Sequence, residues 1–163
     1  MNKFLVDVQE KKELFLRLRD RGLTSEMLKP FRDDFDKFLI VHKILKANTE
    51  KYYSNCPIEE YLNALTKIYY DNQFNSIYNF WKKQDKRSTF YDWAKPSLDH
   101  IILKSRGGTH KIDNLQILTV FENLAKRDMT QEEWVQFKKD THTSSDYFIE
   151  NICDKGGKDY ESK

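Results

Sequence analysis

Apolar residues recur at helical spacing through most of the chain and at strand spacing only near its middle. Leu14, Phe15 and Leu18 share one side of a helix predicted over residues 9–20, which Gly22 ends. Thr24 or Ser25 caps a short turn through Met27 and Leu28. Pro30 then opens a longer helix, on which Phe31, Phe35, Phe38, Leu39, His42 and Leu45 form one stripe. His42 lies on that stripe and reads as a core or edge histidine rather than a ligand. After the polar stretch ANTEKYYSNCP, Pro57 suits the first turn of a helix. The buried face of that helix is Ile58, Tyr61, Leu62, Leu65, Ile68 and Tyr69. Asn72 breaks it, and Phe74, Ile77, Tyr78 and Trp81 predict another short helix. These aromatic rings are of a kind that stacks on bases, but their spacing assigns them to a core.

The pattern then changes. Residues 82–96 read as a basic linker ending in Lys95-Pro96, and proline, which cannot donate to a sheet, suits the first residue of a strand. The strand is predicted over Leu98–Leu103. The turn KSRGGTHKID follows, with Gly107-Gly108 permitting positive φ. A second strand over Leu115–Thr119 returns, and a helix follows from Val120 to Asp128. Thr130 with Glu133 makes a T-x-x-E capping box for a last helix through Lys138. The tail DKGGKDYESK lacks an apolar pattern and is expected to be partly disordered. The expected fold class is mainly α with a small β-hairpin. Residues 1–84 form a helical scaffold, 85–140 the hairpin and its helices, and 141–163 the tail. LRDRGLTSEML has the rhythm of a helix-turn-helix, but Pro30 interrupts the second segment, and Asp33, Asp34 and Asp36 would face phosphates. Scaffold is the better reading there.

Charge sharpens the picture. The net charge is only +2, yet Trp81 to Lys111 holds eight basic residues against Asp85, Asp92 and Asp99. That segment carries +5 and leaves −3 for the rest. A polyanion is the natural partner of such a patch. No apolar run approaches the ~18 residues of a membrane span, and the start MNKFLVDVQEKKELFL lacks the features of a signal peptide. No membrane partner and a cytoplasmic location are expected. Cys56 and Cys153 are far apart and form no CxxC pair, so a cysteine-rich structural zinc site is excluded.

The strand, basic turn, strand and helix can bring together Asp99, His100, Asn114 and Asn123. Adjacent residues of a regular strand point to opposite faces, so Asp99 and His100 serve one site only if the strand is irregular or ends there. The segment Pro96 to Met129 resembles the HNH endonucleases, whose site is a ββα-metal motif. It carries D-H-I-I, then S-x-G-G-T, then N-L-Q-x-L, then N-x-x-K, with 13 residues between His100 and Asn114 and eight between Asn114 and Asn123. The extension ENLAKRDMTQEEW is similar to phage-type members.

The resemblance implies a role for each residue. His100 would be the general base, and Asn114 would hold the hairpin and the histidine in place. Asp99 and Asn123 would bind one hard divalent cation, Mg²⁺ or Mn²⁺, through oxygen. Lys95, Lys104, Arg106 and Lys126 are candidates to hold phosphates of DNA, double-stranded by expectation. Asn123 stands where the family name expects histidine, Leu103 where many members have proline, and Glu122 where a zinc cysteine often lies. No structural zinc is expected, so the helices before residue 85 must supply the support that zinc gives elsewhere. His110 in the turn and His142 in DTHTSSD read as surface residues. The expected function is metal-dependent hydrolysis of DNA phosphodiester bonds, with nicking the simplest outcome for one site. The alternative is a non-catalytic nucleic-acid-binding or phage assembly protein that keeps the fold.

Overall fold

The computed structural model describes residues 3–141, with side chains from residue 7 onward. The tail, His142 and Cys153 lie outside the described residues. The chain is mainly helical with one small antiparallel sheet. Helices α1 (Lys3–Asp20), α2 (Ser25–Leu28), α3 (Phe35–Asn48), α4 (Tyr52–Asn55), α5 (Ile58–Tyr69), α6 (Asn72–Lys82) and α7 (Thr89–Ala94) precede strands β1 (Pro96–His100) and β2 (Leu115–Thr119). Helices α8 (Val120–Lys126) and α9 (Gln131–Thr141) follow. The register pairs Pro96 with Thr119, Asp99 with Gln116 and His100 with Leu115.

Helix α3 packs on α5 and on β1, and α6 packs on both strands. One apolar cluster therefore runs from Leu14 through Phe38, Leu65 and Phe74 to Leu98 and Leu115. It crosses the boundary drawn at residues 84 and 85, so the helices and the hairpin share a core. The helices support the hairpin through this shared core. The aromatic residues assigned to a core are there: Tyr61, Tyr69, Phe74, Tyr78 and Trp81 are all buried.

Four expectations need correction. Pro30 does not open α3; it sits in a 3₁₀ turn, Lys29–Phe31, and Asp34 caps α3 by accepting from the Lys37 N–H at 2.9 Å. Asn72 does not end a helix but begins α6, because the Asp71 carboxylate accepts from the Phe74 N–H at 2.8 Å. In both cases an aspartate cap outweighs the residue first noticed. The basic linker contains α7, capped by Ser88 and anchored where Trp81 meets Tyr91 and Trp93 meets Phe121. Strand β1 begins at Pro96 and stops at His100, because the backbone of Ile102 is taken by the Asn114 side chain instead of a partner strand. The second strand, Leu115–Thr119, and the Thr130–Glu133 capping box form as expected.

His42 is half-buried on α3, with Nδ1 2.8 Å from the Tyr61 hydroxyl. Burial, with repulsion from Lys46, Arg17, Arg21 and Lys43, pushes its pKa down to about 4. Between pH 6.5 and 4 the unfolded chain binds a proton that the folded chain refuses, so stability falls as pH falls through that window. We expect urea unfolding to show about 2 kcal/mol less stability at pH 5 than at pH 7 from this residue alone. His42→Gln should remove that part of the pH dependence; an unchanged dependence would mean His42 is already solvated.

Candidate active site

Thr119, the last residue of β2, is also the N-cap of α8. Its hydroxyl accepts from the Glu122 N–H at 3.1 Å, and the Glu122 carboxylate accepts from the Thr119 N–H at 3.2 Å. Strand therefore runs into helix without a loop. Glu122, 1% exposed, is a capping residue. The direct junction lays α8 against both strands. Asn123 donates from Nδ2 to the Leu98 carbonyl at 3.2 Å and to Ser97 Oγ at 3.3 Å. Its Oδ1 has no protein partner among the described residues.

Asp99, 8% exposed, faces the same helix. Its Oδ2 lies 2.8 Å from Lys126 Nζ and accepts from Gln116 Nε2 at 3.0 Å. Gln116, its cross-strand partner, exchanges amide hydrogen bonds with Gln131 on α9. Lys126 is fully buried, and its ammonium also lies 3.5 Å from the His100 carbonyl. The expectation that Lys126 holds a phosphate is therefore wrong. The residue sits three positions after Asn123 on the inner face of α8, and its charge is spent on Asp99. Lys95, Lys104 and Arg106 are exposed and stay available to a polyanion.

Because β1 ends at His100, its side chain reaches into the loop that follows, toward His110. Asn114 closes that loop. Its Oδ1 accepts from the Ile102 N–H at 2.8 Å, and its Nδ2 donates to the carbonyls of Ile102 and Thr109 at 3.0 and 2.8 Å. Its own carbonyl accepts from the Ile101 N–H at 2.8 Å. Gly108 is buried under this clasp. A Cβ there would fall 1.8 Å from the Ile102 carbonyl oxygen, so no larger residue fits. Gly107, at φ +89°, takes the left-handed conformation that the turn requires.

His100 meets an unexpected partner. Its Nε2 is 2.9 Å from Nδ1 of His110, with the rings edge to face at 5.0 Å. Reading His110 as a surface residue is thus corrected: its side chain is only 10% exposed. The polar turn concealed it, and no periodicity exists there to reveal it. Gln116 was also missed, although its place opposite Asp99 follows once the register is known. Burial first, then His110 and Lys104, lowers the pKa of His100 from 6.5 against the opposing pull of Asp99 and Glu50. The imidazole is neutral at pH 7, and Nδ1 has no protein partner among the described residues.

The donors offered to a hard cation are one carboxylate and one amide oxygen, a set whose chemistry suits Mg²⁺ or Mn²⁺ with positions left for water and phosphate. Asp99 Oδ1 has no protein partner among the described residues, and a cation there would share the carboxylate with Lys126. No group of three or more His, Cys, Asp or Glu able to hold a metal occurs among the described residues. Nor is any described helix long and apolar enough to cross a membrane. No protein-family model, curated protein or solved structure matches the chain.

The Asp99–Lys126 pair makes a prediction of its own. Removing one partner strands a buried charge, so Lys126→Met should cost about 3 kcal/mol or more in urea unfolding with EDTA present. Asp99→Asn combined with Lys126→Met should recover part of that loss. A single-variant cost below about 1 kcal/mol would mean that water reaches the pair.

Proposed function

We propose that the protein is a divalent-metal-dependent endonuclease of the HNH type that hydrolyses phosphodiester bonds in double-stranded DNA. One observation carries this reading. A neutral histidine with an unpartnered Nδ1 stands at the end of a strand whose preceding residue is a carboxylate, beside a helix that presents an amide oxygen. A structural hairpin has no need of that combination.

In this reading His100 Nδ1 takes a proton from the attacking water as the new P–O bond forms. Asn114 keeps the loop closed, so the imidazole is held through the reaction. Asp99 and Asn123 would hold the cation, which when bound supplies Lewis-acid stabilisation of the scissile phosphate and the leaving 3′ oxygen. The products carry 5′ phosphate and 3′ hydroxyl ends. Lys95, Lys104 and Arg106 attract the backbone. A single site in one chain cuts one strand at a time, so nicking comes first.

The Lys126 ammonium on Asp99 favours a second reading, in which that carboxylate is already neutralised and the chain binds nucleic acid or assists assembly without cutting it. One assay separates the two. Supercoiled plasmid incubated with the protein and Mg²⁺ or Mn²⁺ should convert to open circle before linear. EDTA should stop conversion, and His100→Ala should slow it by about 100-fold or more without loss of plasmid binding. Binding without conversion under either metal would favour the second reading.

A further inference from the structure

We infer that His110 is a positioning residue for His100, set in turn by Glu50 on the helical scaffold. The inference rests on the nuclease reading above. His110 lies ten residues beyond His100, between the 3₁₀ turns Lys104–Arg106 and Ile112–Asn114, and its place is fixed from several sides. The Tyr53 hydroxyl donates to its carbonyl at 2.8 Å, the Tyr52 ring lies against its imidazole at 5.9 Å, and Asn114 holds the carbonyl of neighbouring Thr109.

Its Nε2 faces a Glu50 carboxylate oxygen at 3.6 Å. The turn that brings Glu50 there is costly: Glu50 and Lys51 are consecutive non-glycine residues with φ of 49° and 64°. Such a turn persists where surrounding contacts demand it. Here it carries the chain from α3 to the two tyrosines that grip His110.

The placement of the two imidazoles and the nearby, exposed Glu50 carboxylate favours one arrangement of the protons. A carboxylate facing Nε2 of His110 favours the tautomer protonated at that nitrogen, which leaves Nδ1 an acceptor. His100 must then donate from Nε2. A neutral imidazole protonated on Nε2 has its lone pair on Nδ1, the nitrogen without a protein partner. His110 thus fixes both the ring orientation of His100 and the nitrogen on which it acts as a base. His110 is itself held from the scaffold by Tyr53 and Tyr52, whereas Asn114 closes the loop from within the hairpin.

The test uses the full chain labelled with ¹⁵N, at neutral pH in EDTA and without DNA. A coupling across the hydrogen bond between His100 Nε2 and His110 Nδ1 is expected, and it should vanish in His110→Ala. Kinetics on plasmid with Mg²⁺ or Mn²⁺ should show His110→Ala lowering kcat about tenfold or more, with KM for DNA unchanged. His110→Asn, whose Oδ1 can take the place of Nδ1 as acceptor, should recover most of that loss at an equal Tm. Absence of the coupling in the wild-type chain overturns the inference. So does wild-type kcat in His110→Ala, or an effect confined to KM. If the Asn variant folds as well as wild type but cuts no better than the Ala variant, the acceptor role is also overturned. A wild-type chain that cuts under neither metal removes the nuclease reading, and the coupling would then report only packing.

Discussion

The clasp made by Asn114 is the constraint on which the rest of the site depends. One side chain satisfies both backbone groups of Ile102 and the carbonyl of Thr109, while its main chain holds Ile101. A loop of this length costs conformational entropy to order, and the packing of Ile112 on the core offsets only part of it. The hydrogen bonds add to that offset, and they work because Gly108 lets two backbone segments come together where any Cβ would collide. With the loop shut, β1 must end at His100, and the ring is delivered into the loop rather than into the sheet.

The helices complete what the hairpin cannot. A two-stranded sheet is marginal in water, and this one is seated on α3 and α6 through Leu98 and Leu115. The same scaffold reaches the chemistry through Tyr53 and Glu50, both of which engage His110. On the other face, α8 delivers Asn123 to the carbonyl of Leu98 and buries Lys126 against Asp99. A buried ammonium with one carboxylate and one carbonyl for company keeps Asp99 in place. It also sets the charge against which any divalent cation must compete. Asp99 and His100 are therefore neighbours at the point where β1 stops, one held by α8 and the other by the loop.

Much of this was legible in the sequence. Helical periodicity located α5, α6 and the stripe of α3. The return of the chain after the Gly-Gly turn located β2, and T-x-x-E located the start of α9. The hairpin and its following helix stood out because Gly-Gly and the strand pattern are local signals. The misplaced boundaries share one cause. Pro30, Asn72 and the 82–96 segment were judged by composition, whereas Asp34, Asp71 and Ser88 decided the helix starts through single side-chain hydrogen bonds.

The sequence by itself determined the helix-rich class and the position of the hairpin, because these rest on short-range spacing and residue type, and it singled out Asp99, His100, Asn114 and Asn123 as candidates. Tertiary structure alone decided what each of them touches. Lys126 looks the same in sequence whether it reaches for a phosphate or turns inward, and only the packing of α8 on β1 turned it inward. His110 sits in a turn with no period, and only the approach of the α3–α4 turn made it the partner of His100. Periodicity reports which face of an element is apolar; it carries no information about which polar groups meet across elements distant in the chain.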